Sequence, residues 1–115
     1  MPNNIHPGYV MQVGDKQLII WDSVGPSSYN NTGTYSTSGV PVNAIDLGEG
    51  GFDAVWECGD SSNGLYYGVI VPTAGGSGNA VKSFQLHWFV RATGAEVANG
   101  TNLSGSALTL AAIVV

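Results

Sequence analysis

The sequence predicts an all-β chain. The expected architecture is a compact antiparallel β-sandwich or jelly-roll-like barrel of about six to eight strands with long Gly/Ser/Asn-rich loops. Three observations lead there. First, β-branched and aromatic residues recur with period two. Phe84, Leu86, Trp88 and Val90 alternate with Gln85, His87, Phe89 and Arg91. Second, the apolar runs are separated by turn formers, including 17 Gly in 115 residues. Third, only 10% of the chain is charged, whereas helical bundles and coiled coils are rich in Glu, Lys and Arg. The length suits a single β domain, residues 1–115, with enough chain to build a core.

The elements follow in order. Residues 1–8 read as an extended N-terminal arm. Tyr9 to Val13 and Lys16 to Val24 form a hairpin around Gly14-Asp15. Gly25 to Val40 carries no charge and little apolar surface, so it reads as a long loop. Pro41 to Leu47 holds one helical turn, with Asn43 as its cap and Gly48 as its stop. Phe52 to Cys58 is a strand with Phe52, Ala54 and Trp56 facing inward and Asp53, Val55 and Glu57 facing outward. Gly59 to Gly64 is a turn, and Leu65 to Val71 returns as the second arm of a hairpin. Pro72 and the glycine-rich stretch after it read as a flexible connection. Val81 to Ala92 is the clearest strand. Ser106 to Val115 is apolar on both faces near its end, so it is either central or covered by another subunit.

Composition narrows the function. Three Lys plus Arg against eight Asp plus Glu, net −5, cannot supply the basic surface that nucleic acid needs. No apolar run approaches the roughly 20 residues of a membrane helix. The N-terminus lacks a basic region followed by an apolar run, so the chain is expected to be made in a cytosol and not secreted by the usual route. Cys58 stands alone and reads as a buried, inert thiol.

Catalytic and cofactor patterns are weak. Two His and one Cys do not make a metal site, and His87 reads as a surface or interface residue on the polar side of its strand. No G-x-S-x-G elbow occurs. The glycine clusters at Gly48 to Gly51 and Gly75 to Gly78 precede strands rather than helices, so they read as turns and not phosphate loops. Asp46, Glu49 and Asp53, and likewise Asp60 with Asn63, read as solvated carboxylates rather than a calcium loop. The expectation is a non-enzyme without cofactor or metal. The aromatics leave one alternative, a glycan-binding module. Trp56 and Trp88 are expected in the core; Trp21 and Tyr66–Tyr67 are open candidates for sugar stacking.

Three segments carry a resemblance. YSTSGVPVNAIDLGEGGFDAV (Tyr35 to Val55) leads into GGSGNAVKSFQLHWFV and then ATGAEVANGTNLSGSALTLAAIVV. This order resembles small virion proteins of tailed bacteriophages, the head decoration or capsid cement proteins, over roughly Tyr29 to Val115. The resemblance implies a structural protein on the outer capsid surface that binds the major capsid protein, commonly as a homotrimer. A tail or fibre component is the variant reading. Candidate subunit or capsid contacts are Pro2, Ile5, His6 and Tyr9 in the N-terminal segment, His87 and Phe89 on the long strand, and Ile113 and Val115 at the C-terminus.

Overall fold

A computed structural model describes residues 5–33, 38–47, 49–75 and 81–114. Seven strands form it: β1 Ile5–Val13, β2 Lys16–Val24, β3 Val40–Asn43, β4 Phe52–Glu57, β5 Tyr66–Gly75, β6 Val81–Val90 and β7 Ala107–Val114. A single 3-10 turn, Ala44–Leu47, follows β3 directly. The pairing is antiparallel throughout and makes two layers. One is β1-β2-β7-β4; the other is β5-β6-β3. They meet at one corner, where Phe52 of β4 pairs with Val81 of β6. Among the described residues no helix is long and apolar enough to cross a membrane.

The core lies between the layers. Ile19 and Trp21 from β2 and Leu108, Leu110, Ala112 and Val114 from β7 face Phe84, Leu86 and Trp88 from β6. An aromatic chain runs through it. Trp21 stacks on Phe52 at 6.4 Å, and Phe52 meets Phe84 at 5.4 Å, tilted by 60°. Farther along, Tyr66 meets Trp88 edge-on at 5.8 Å. Burying one such ring stabilises the fold by about 2–3 kcal/mol, so this chain supplies much of the cohesion that a disulfide would otherwise provide.

Both observed hairpins involve consecutive strands. The β1–β2 turn sits at Gly14-Asp15 as expected, with Gly14 at φ 61°. β1 starts four residues ahead of the expected Tyr9. Ile5, His6 and Pro7 pair with Ser23, Asp22 and Trp21, so residues 5–8 belong to the sheet rather than to a free arm. The expected hairpin of β4 with β5 does not form. β4 pairs with β7, and β5 pairs with β6. The segment between β4 and β5 arches from one layer to the other instead. It is pinned to the start of β7: the Ser62 N–H donates to Ala107 O at 2.9 Å, and Asn63 Nδ2 donates to Ser106 Oγ at 2.6 Å. Asn63-Gly64 is a tight turn, with Gly64 at φ 73°, but it serves this arch.

β5 runs through Pro72 to Gly75, past its expected end, with register shifts after Pro72. Pro72 is tolerated because β5 is an edge strand and its missing N–H costs no ladder bond.

The inward phase expected for β4 is overturned beyond Phe52. Phe52 pairs with Val114, but Ala54 pairs with Ile113, so Asp53 is an extra residue in the strand. This bulge moves every later side chain to the opposite face. Val55 packs on the core, while Trp56 is 42% exposed and Cys58 is exposed. Neither the core tryptophan nor the buried thiol expected there is found.

Candidate interaction face

β7 is central, between β2 and β4. Its inward residues enter the core, and its outward residues Thr109, Ala111 and Ile113 lie on the far face of that layer. Two apolar rows cross this face. In one, Ile113 is flanked by Leu18 and Ala54, with Met11 beyond Leu18. In the other, Ala111 is flanked by Ile20 and Trp56, with Tyr9 in register beyond Ile20. Ala111 points away from the core yet is only 1% exposed, because its larger row neighbours close over it. Met11 and Trp56 remain 42% exposed each.

Polar groups bound the two rows. At one end Lys16 pairs with Asp53, the bulge residue. At the other, Thr109 Oγ1 donates to Asp22 Oδ1 at 2.7 Å. An apolar centre with a polar margin is the anatomy of a protein contact surface. β1 borders it as the edge strand of this layer among the described residues, paired to β2 on one side.

On the other layer, the outer side of β6 is covered around His87. His87, expected at the surface, is fully buried, with a side-chain exposure of 0%. The segments around Tyr29 and Glu96 fold over it. Glu96 Oε2 stands 2.7 Å from His87 Nδ1 and accepts a hydrogen bond from Tyr29 Oη at 2.7 Å. Tyr29 Oη in turn accepts from the Trp88 N–H at 3.0 Å, and Asn31 Nδ2 donates to Val97 O at 3.0 Å. A His beside a carboxylate is a familiar catalytic pairing. This His87 has no exposed atom to offer a substrate, so the cluster fastens the long loops to β6. His87 is therefore removed from the candidate contact residues. Alternation along β6 marked it as polar-facing, but only the loop arrangement shows that this face is covered.

Phe89 is half-buried, stacked on Tyr67 at 5.4 Å, with Arg91 lying 5.0 Å from the Tyr67 ring centre and paired with Asp60. Phe89 and Ile113 sit on opposite outer faces of the sandwich and do not form one surface. Ile5, His6 and Tyr9 lie in β1. Pro2 and Val115 are outside the described residues. The residues of this face that sequence reasoning missed are Trp56, Leu18, Ile20 and Met11. The alternation of β2 was a signal for Leu18 and Ile20; nothing local marked the bulge that turns Trp56 outward.

Glu57 lies just inside the seam between β4 and β5, where Gly68 leaves room for it. A Cβ on Gly68 would stand 3.3 Å from Glu57 Cγ and only 2.8 Å from Leu108 Cδ1. Glu57 Oε1 is buried without a hydrogen-bond partner among the described residues. Burial pushes its pKa up, the Asp60 charge adds to this, and Arg91 opposes it. Cys58 is raised too, by burial and then by the Glu57 charge, so it stays a thiol at neutral pH. Among the described residues, no three His, Cys, Asp or Glu side chains stand close enough together to hold a metal ion.

No protein-family model, curated protein or solved structure matches this chain.

Proposed function

We propose that this protein is a structural component of a virion, a head decoration protein that binds the outer capsid surface as a homo-oligomer. The observation that carries the reading is the apolar outer face of β1-β2-β7-β4, on which Met11 and Trp56 stay exposed and which β1 borders as its edge strand. An apolar surface bordered by an edge strand supplies side-chain burial for contact between copies and backbone pairing for the capsid protein. Ile5 and His6, at the outer end of β1, are where backbone pairing with the major capsid protein would begin. The virion-assembly reading extends to a tail or fibre position, which copy number separates from the head.

Sugar binding through aromatics fits less well. Trp21 and Trp88 are buried, and Tyr66 and Tyr67 are engaged with Trp88 and Phe89. Trp56 is exposed, but its row neighbours are Ala111 and Ile20, which offer sugar hydroxyls no hydrogen bonds.

The test adds purified protein to capsids that lack it and sediments the particles. Saturable binding at hundreds of copies per particle, with a higher capsid melting temperature, is the expected result. Absence of co-sedimentation would sink the reading, and a few copies per particle would move the protein to the tail.

A further inference from the structure

We infer that the apolar face of β1-β2-β7-β4 packs on the same face of a second copy of this chain, about a two-fold axis running across the strands. The argument is self-complementarity under that one operator. The axis lies level with the Ile19–Ala112 pair, at the middle of the face. Rotation about it exchanges the two apolar rows. Ile113 of one copy then faces Ala111 of the other, Ala54 faces Trp56, and Leu18 faces Ile20. Two of these three encounters set a large side chain against a small one, which lets the layers interdigitate. Two sheets stacked face to face pack well when aligned within about 30°, which the natural twist of each supplies.

Charge agrees with size. Lys16 and Asp22 lie on the same side of β2, at opposite ends of the face. The same rotation brings each over the other's counterpart, Lys16 over Asp22 and Asp22 over Lys16. An axis along the strands would instead keep Lys16 at the Lys16 end and forfeit both pairs. Lys16 is 40% exposed beside Asp53 and so keeps hydrogen-bonding capacity for a second carboxylate.

The footprint sets the strength. Four strands at about 4.8 Å spacing, over the span from Lys16 to Asp22 at about 3.4 Å per residue, cover roughly 400 Å² per copy. Stable interfaces bury about 800 Å² per partner, so the association is expected in the micromolar range or weaker. This two-fold contact departs from the trimer that the resemblance implies. It is also separable from capsid binding. A chain that dimerises without binding particles defeats the capsid reading alone, and a chain that binds particles as a trimer defeats this contact alone.

Sedimentation equilibrium of the full chain, across low to high micromolar concentration, tests it. The expected result is a shift from the mass of one chain to that of two. Trp56→Asp should weaken the dimer at least tenfold while circular dichroism and the melting midpoint stay those of a folded sandwich. The axis is tested by mixing. Asp22→Lys and Lys16→Asp should each associate at least tenfold more weakly than the native chain, and the two mixed should form a heterodimer close to native strength. A single-chain mass at every concentration, a trimer, or charge variants that self-associate like the native chain would overturn the proposal.

Discussion

Glu57 points into the sandwich because the Asp53 bulge advances β4 by one residue. Its carboxyl is held above the ordinary value by burial first and by Asp60 second, with Arg91 in opposition. The sign of the consequence follows from proton counting. Above the ordinary value of 4.5, the folded chain holds more protons at this site than the unfolded one. Stability therefore falls as pH climbs from there to the raised pKa, and the penalty is complete at pH values above it. Glu57→Gln removes the charge and keeps the shape. Its melting midpoint should exceed that of the native chain at pH 7, and the difference should vanish below about pH 4, where both side chains are neutral. Identical midpoints at pH 7 would mean that the carboxylate is fully solvated. His87 and Glu96 tell the opposite story at the same scale. A polar side chain that alternation assigned to solvent is buried because Tyr29 and Glu96 come to it from distant loops.

At the scale of elements, β1 and β4 depart most from local expectation. β1 extends to Ile5 through Pro7, and the register shifts between Pro7 and Tyr9. Proline fits there because β1 is an edge strand. Removing residues 1–6 deletes the last two pairs of this edge, Ile5 with Ser23 and His6 with Asp22. A loss of about 1 kcal/mol is expected, lowering the midpoint by about 3–6 °C in a thermal melt. Loss of folding would show that these residues carry core contacts. The β4–β5 hairpin looked legible from Asn63-Gly64, the strongest turn signal between those two strands. The signal was real, but Ser61, Ser62 and Asn63 bind the start of β7 and β5, so the turn caps an inter-layer arch. Turn chemistry sets local φ and ψ. It does not choose the partner of the strand that follows.

At the scale of the molecule, the chain is closed by its last strand. β7 enters between β2 and β4, and the pairing of Trp21 with Leu110 joins residues from near the two ends. Such non-local ladders require long loops to be ordered before they return any contact energy, so refolding is expected in milliseconds to seconds. Stopped-flow Trp fluorescence measures it, and a microsecond phase carrying the full amplitude would contradict the topology. Truncation before Thr109 removes the centre of a layer and should leave the chain unfolded by circular dichroism, unlike the mild truncation of β1.

The all-β class, the β1–β2 hairpin and the core roles of Phe84, Leu86, Trp88, Leu108 and Leu110 were determined by the sequence alone. Each rests on period-two patterning and turn residues, which act within a few residues of one another. The doubly apolar end of β7 also announced a strand in need of two covers. Tertiary structure alone decided the rest: that β4 pairs with β7, that a bulge turns Trp56 outward, and that loops bury His87. These depend on which distant segments meet, and a one-residue slip in register reverses every side chain after it. The core was therefore readable from short-range pattern, whereas the candidate contact face, built from β1, β2, β4 and β7 together, existed only once the strands had chosen their neighbours.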